Sequence, residues 1–202
     1  MEKFTGNEAG EKSIEQPQTL IEKYWDNLEK EDRFLDEVFN ERDEYDFDDK
    51  DFNRNPEQLN GILEGFREEN WNNMDLGGKK EQIKGLSDYV NDVIGLENPP
   101  KIEYYNVPER GNYGGYNHSI NTLRINEYML YDPKEAADTV AHESWHAYQH
   151  ECAADPQSIK DYQYQYNFEN YIRSDYDYEG YKNQLVEAEA SAFADQFKGA
   201  LA

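Results

Sequence analysis

The sequence predicts an α+β fold, mostly helical with a small sheet. Three observations carry that expectation. Apolar residues recur at helical spacing through most of the chain. A short stretch, KIEYYNV, is β-branched and aromatic, and GNYGGYNHSINTLRIN after it has the composition of a hairpin. The chain has 202 residues, which suits one domain with an added arm. Hydrophobic content is 37%, below the usual share, but 17 Tyr, 9 Phe and 3 Trp bring large buried areas per residue.

Taken in order, Met1 to about Gln18 is polar and reads as disordered. Thr19–Asn40 places Ile21, Trp25, Leu28, Leu35 and Phe39 at near-helical spacing, an amphipathic helix with a face to bury. That face is expected to complete the core or to shield a cleft, the core being favoured. RDEYDFDDKDFNRNP then reads as an acidic linker, with Asp43–Asp51 as a mobile connection. Counted as a calcium loop from Asp46, it lacks the glycine needed at the sixth position, where Asp51 stands. The chain thus divides into an acidic arm over residues 1–55 and a second domain over 56–202.

PEQLNGILEGFREEN reads as helix. GGKKEQIKGLSDYVNDVIG is a stronger one, with Ile83, Leu86, Val90 and Val93/Ile94 on one stripe. Asn98–Pro100 should stop it. In the hairpin, Tyr116–His118 and Thr122–Asn126 are the arms and Ser119–Asn121 the turn. The next helix has an explicit start, with Asp132 as N-cap, Pro133 at the first position and Glu135 placed for a capping box. Asp155-Pro156 is the start signal of a Tyr-rich helix, SDYDYEGY breaks it, and a last helix runs from Lys182 to about Gly199. Val186, Ala190, Phe193 and Phe197 share its apolar face.

The net charge of -24 excludes binding nucleic acid through its phosphates and argues against anionic membranes. Cys152 is the only cysteine, so no intramolecular disulfide exists. No apolar run approaches the ~20 residues of a membrane helix. The opening residues lack the apolar segment of a signal peptide. A cytoplasmic setting is the expectation.

TVAHESWHAYQHE, Thr139–Glu151, carries the chemistry. Histidines at i and i+4 sit one above the other on a helix and bring two imidazole nitrogens within reach of one metal. Ala137, Ala141, Trp145 and Tyr148 form the stripe that faces the core, which turns His142 and His146 toward a cleft. Glu143 stands beside the metal position, where it can take a proton from an activated water and pass it to a leaving amine. A chance match on a polar helix is the plain alternative, but three of only four histidines fall within these nine residues, 142 to 150. His150 lies ~12 Å along the axis from His142 and cannot share its metal. Gln149 and Cys152 stand where a metzincin has its glycine and third histidine, so that ligand is missing.

A His2Glu site needs a glutamate from another helix. QLVEAEASAFADQF offers Glu187 and Glu189, and both stay open on residue types alone. The stretch resembles the gluzincin pattern E-x-x-A, which Glu187 and Ala190 fit, and this favours Glu187. Together, TVAHESWHAYQHE and YKNQLVEAEASAFAD resemble small bacterial gluzincins. They look most like metallopeptidase-like domains of mobile elements and polymorphic toxins, and are more distantly similar to ImmA/IrrE-type peptidases and the lethal-factor-type catalytic domain. The resemblance covers roughly Lys79–Ala202. It implies a small twisted sheet, an active-site helix with a ligand helix behind it, and peptide bound along an edge strand of the Tyr116–Asn126 hairpin.

The expectation is therefore a zinc metallopeptidase. His142, His146 and Glu187 hold Zn2+, Glu143 is the general base, and a peptide or protein is the substrate. An oxyanion helper is expected from His118, Tyr116 or a tyrosine among Tyr162 to Tyr181. Two rivals stand beside it: an acidic nucleic-acid mimic, and an inactive protein that keeps its zinc.

Overall fold

The computed structural model describes Phe47, Lys50 and residues 52–201. The expected disordered start and the Thr19–Asn40 helix lie outside the described residues, as do Asp46, Asp48 and Asp51. The described residues belong to one compact unit, Glu44–Ala202. The fold is α+β, mostly helical, with one three-stranded mixed sheet. Among the described residues no helix is long and apolar enough to cross a membrane.

Helix α1 spans Pro56–Gly65 and α2 spans Glu68–Asn73. The sequence suggested one helix here, and the chain breaks at Arg67, whose ψ of 137° is extended. Gly65 lies so close to Gln82 that an added Cβ would meet its side chain at 2.2 Å. The break turns Trp71 inward, where it is fully buried, stacks on Phe66 and donates its indole N–H to the Leu130 carbonyl at 3.0 Å. Helix α3, Leu76–Ile94, buries the expected stripe of Ile83, Leu86, Val90, Val93 and Ile94. Its stop is Gly95 in the left-handed region, ahead of Asn98–Pro100.

Strands β1 (Lys101–Tyr105), β2 (Gly114–Asn117) and β3 (Thr122–Asn126) form the sheet in the order β1-β3-β2. β1 runs parallel to β3, and β2 antiparallel. The hairpin connection is a 3-10 turn, His118–Ile120, closed by Asn121 at φ +46°. Asparagine tolerates that conformation better than most side chains. β2 is an edge strand, and Gly114 lets it press on its neighbours. A Cβ there would meet the Arg124 carbonyl at 2.6 Å and the Thr139 methyl at 2.7 Å.

Helix α4, Pro133–Ala154, starts as expected, with the Asp132 carboxylate accepting from the amides of Lys134 and Glu135. Glu135 pairs instead with Lys198 at 2.6 Å. Asp155 closes α4 rather than opening the next helix. Helix α5, Ile159–Glu169, begins on a Ser158–Asp161 capping box. The short helix α6, Tyr178–Asn183, starts within the segment read as a break, and α7 spans Leu185–Ala200. Gln184 separates the two by bonding both backbone groups of Ile172 through its side chain.

The core is continuous between α1, α3, α4, α7 and the inner face of β3. It also holds two rings from the acidic stretch read as linker. Phe47 meets Trp145 and Phe193 edge-on at 5.1 and 5.6 Å, and Phe52 meets Phe197 at 5.5 Å. The Tyr89 hydroxyl fastens the backbone of this stretch by donating to the Phe52 carbonyl. Phe47→Ala and Phe52→Ala should each cost roughly 2 kcal/mol, less than the ~3–5 kcal/mol of a fully buried phenylalanine. Urea unfolding measures this, and a loss under ~0.5 kcal/mol would show that the rings contribute nothing.

Candidate metal centre

Helix α4 carries His142, His146 and His150 on successive turns, with Glu143 next to His142. Ala137, Ala141 and Trp145 are buried beneath it and fix its rotation. His142 and His146 bring their Nε2 atoms to 3.0 Å. Glu187 reaches over from α7, with Oε2 at 3.4 Å from His142 Nε2 and Oε1 at 3.3 Å from His146 Nε2. One ligand-type atom from each of the three residues lies within 4.8 Å of the others.

The choice between the two glutamates follows from helix geometry. Val186, Ala190, Phe193 and Phe197 seat α7 on the core and leave it no freedom to roll. Residues two apart on a helix point ~200° apart. Glu187 therefore enters the histidine site while Glu189 points away from it. Glu189 is buried too, and its carboxylate accepts from Trp145 Nε1 at 3.2 Å and Gln149 Nε2 at 3.0 Å and pairs with Lys160 at 2.8 Å.

Glu187, His146 and Glu143 each have a partner outside the ligand group. Tyr171 donates its hydroxyl to Glu187 Oε1. His146 Nδ1 lies 2.9 Å from Gln149 Oε1. The Tyr116 backbone N–H on β2 donates to Glu143 Oε2 at 2.7 Å. Burial opposes ionisation of Glu187, but hydrogen bonds from His142 and His146, the His146 charge and the Tyr171 hydroxyl outweigh it. They hold its carboxyl well below the usual range. Burial likewise opposes charge on His146, and the Glu187 hydrogen bond with the Glu143 and Glu187 charges raises it above its ordinary value. Burial first, and then Glu187, push the Tyr171 and Tyr181 phenols far up, so both remain O–H donors.

The site opens into a cleft of about 1030 Å³ between β2, α4 and α5. Of the proposed oxyanion helpers, Tyr116, His118, Tyr171 and Tyr181 line it. Tyr164 is buried behind it. His150 stays outside the ligand group, stacked between Phe168 at 3.7 Å and His118 at 4.6 Å. Burial, then the neighbouring histidines, pushes its pKa down to about 4. Cys152 is half-buried, with its thiol raised by burial. Sequence reasoning missed Gln149 and the Tyr116 amide. Gln149 was noticed only as an interruption of another motif, and a backbone donor has no sequence signal.

The donor set fits zinc. Atoms held about 2.0–2.1 Å from a tetrahedral centre lie ~3.3 Å from one another, close to the separations seen here. Two imidazoles and one carboxylate disfavour calcium and magnesium, which prefer oxygen ligands. Comparison with family models, curated proteins and solved structures found no match, so the chemistry of the residues carries the reading.

Purified protein should carry about one zinc per chain, as a three-ligand site implies. His142→Ala, His146→Ala and Glu187→Gln should each remove it, whereas Glu189→Gln should leave most of it. Elemental analysis after gel filtration measures this. Full occupancy in both histidine variants would exclude the site.

Proposed function

We propose that the chain is a zinc-dependent peptidase, with His142, His146 and Glu187 as metal ligands and Glu143 as general base. The observation that carries this reading is the meeting of those three side chains beside Glu143 at an open cleft. A zinc ion held there would polarise the scissile carbonyl and lower the pKa of the attacking water toward ~7.

Glu143 lies ~100° around the helix from His142, so its carboxylate stands beside the ligand set rather than within it. The Tyr116 amide holds Oε2 and leaves Oε1 to accept a proton from the attacking water. The same carboxyl then returns that proton to the leaving amine. Tyr171 is committed to Glu187 and orients that ligand. Tyr181 also lines the cleft beside Glu187 and stays protonated, and we assign it the developing oxyanion. An extended peptide or protein segment is the substrate, laid along the outer edge of β2, whose Gly114, Gly115 and Tyr116 border the cleft. The proposed setting is cytoplasmic, away from membranes and nucleic-acid phosphates.

Two observations weigh against the rivals. Structural zinc sites use four protein ligands, and the ligand group among the described residues has three. An acidic mimic accounts for the charge of -24 but gives the buried His-His-Glu group no purpose.

Glu143→Gln should keep its zinc and lose cleavage by ~10²–10⁴-fold. Mass spectrometry of a digested peptide library measures it. Zinc binding with no cleavage of any peptide would favour the inactive zinc protein, and cleavage undiminished in Glu143→Gln would remove the assigned base.

A further inference from the structure

Gln149 and Glu189 form a buried pair behind the candidate ligands. Gln149 is fully buried and Glu189 is 4% exposed. The donor and acceptor chemistry of their neighbours settles how the amide points. The Val186 carbonyl can only accept, and the Glu189 carboxylate also accepts from Trp145, whose indole N–H can only donate. Both acceptors lie on one end of the Gln149 amide, at 3.1 and 3.0 Å, so that end is the NH2 group. The other end, the carbonyl oxygen, faces His146 Nδ1 at 2.9 Å. A carbonyl oxygen only accepts, so Nδ1 must carry the proton. In the neutral ring the lone pair then falls on Nε2, the atom that faces His142 and Glu187.

We infer that Gln149, locked by Glu189, is a positioning residue that fixes His146 in the Nδ1–H form and aims its Nε2 lone pair at the metal position. A glutamine at 149 answers a specific demand. It must donate toward α7 and accept from His146, and a carboxylate would set a second negative charge against Glu189. The functional consequence rests on the zinc-site reading, while the tautomer itself does not.

The fold does not leave this to chance. Trp145 lies one residue before His146, and Gln149 follows at i+3, so one stretch of α4 carries the ligand, its orienting amide and an anchor of the locking carboxylate. Lys160 brings α5 into the same network and balances the Glu189 charge. The amide cannot flip without setting its carbonyl oxygen against two acceptors.

The test has two arms on the full chain. In metal-free wild type at alkaline pH, where the imidazole is neutral, nitrogen NMR of the ring should show His146 protonated at Nδ1. Finding it protonated at Nε2 overturns the inference, whether or not zinc binds. In the second arm, zinc alone is titrated against a competing chelator. Gln149→Met should weaken binding about 10- to 100-fold. Gln149→Glu keeps an acceptor oxygen for Nδ1 and should recover part of that loss. Equal zinc affinity in wild type and Gln149→Met overturns the inference. If wild type shows the Nδ1–H form but binds no zinc, the metal reading fails and the tautomer assignment stands.

Discussion

The crossing of α4 over α7 is the interaction on which the site depends. Ala137 and Ala141 on one helix and Ala190 and Ala194 on the other are all buried, and their small side chains allow close approach. Trp145 stacks on Phe193 at 4.4 Å and closes the joint. A buried apolar side chain of this size contributes about 1.5–3 kcal/mol. That gain has to offset the burial of two carboxylates on one helix, each of which costs several kcal/mol unless paired. Both are paired, by different means, and the difference separates structure from chemistry.

Glu189 is satisfied by the protein itself. An indole N–H, an amide and an ammonium surround it. Glu187 is satisfied only in part. Tyr171 donates to it, Tyr181 stands beside it, and its other partners are the imidazoles of His142 and His146. The carboxylates of Glu143 and Glu187 draw positive charge to this pocket and raise the His146 pKa against the opposing effect of burial. A divalent metal answers the same electrostatic demand with more charge and in the geometry of the ligands. Proton and metal therefore compete for one set of lone pairs.

The parts of this arrangement legible in the sequence are those written in local periodicity. The His142–Glu143–His146 face, the Asp132 cap and the Val186–Phe197 stripe each lie within one helix, where 3.6 residues per turn relates spacing to direction. Residue types alone left Glu187 and Glu189 open and only a resemblance favoured Glu187, because the direction of each depends on the rotation of α7 against its partner. Boundaries moved where a side chain reached across space, as when Gln184 ties itself to Ile172 and divides α6 from α7. Gln149 could not be read at all, because its role comes from Val186 and Glu189, 37 and 40 residues away.

The acidic stretch before Pro56 shows a related limit. Its charge reads as solvated linker, and charge is what composition reports most loudly. Two aromatic rings within it pack against the core, where burial of a ring is favourable. Phe47 meets the two rings that join α4 to α7, Trp145 and Phe193. The indole N–H of Trp145 holds Glu189, Glu189 holds Gln149, and Gln149 faces His146. Phe47 thus packs on the same joint that sets the candidate ligands. Packing of a few apolar side chains is what makes a precise polar site possible here, since buried hydrogen-bond networks hold their geometry only on a frame that does not yield.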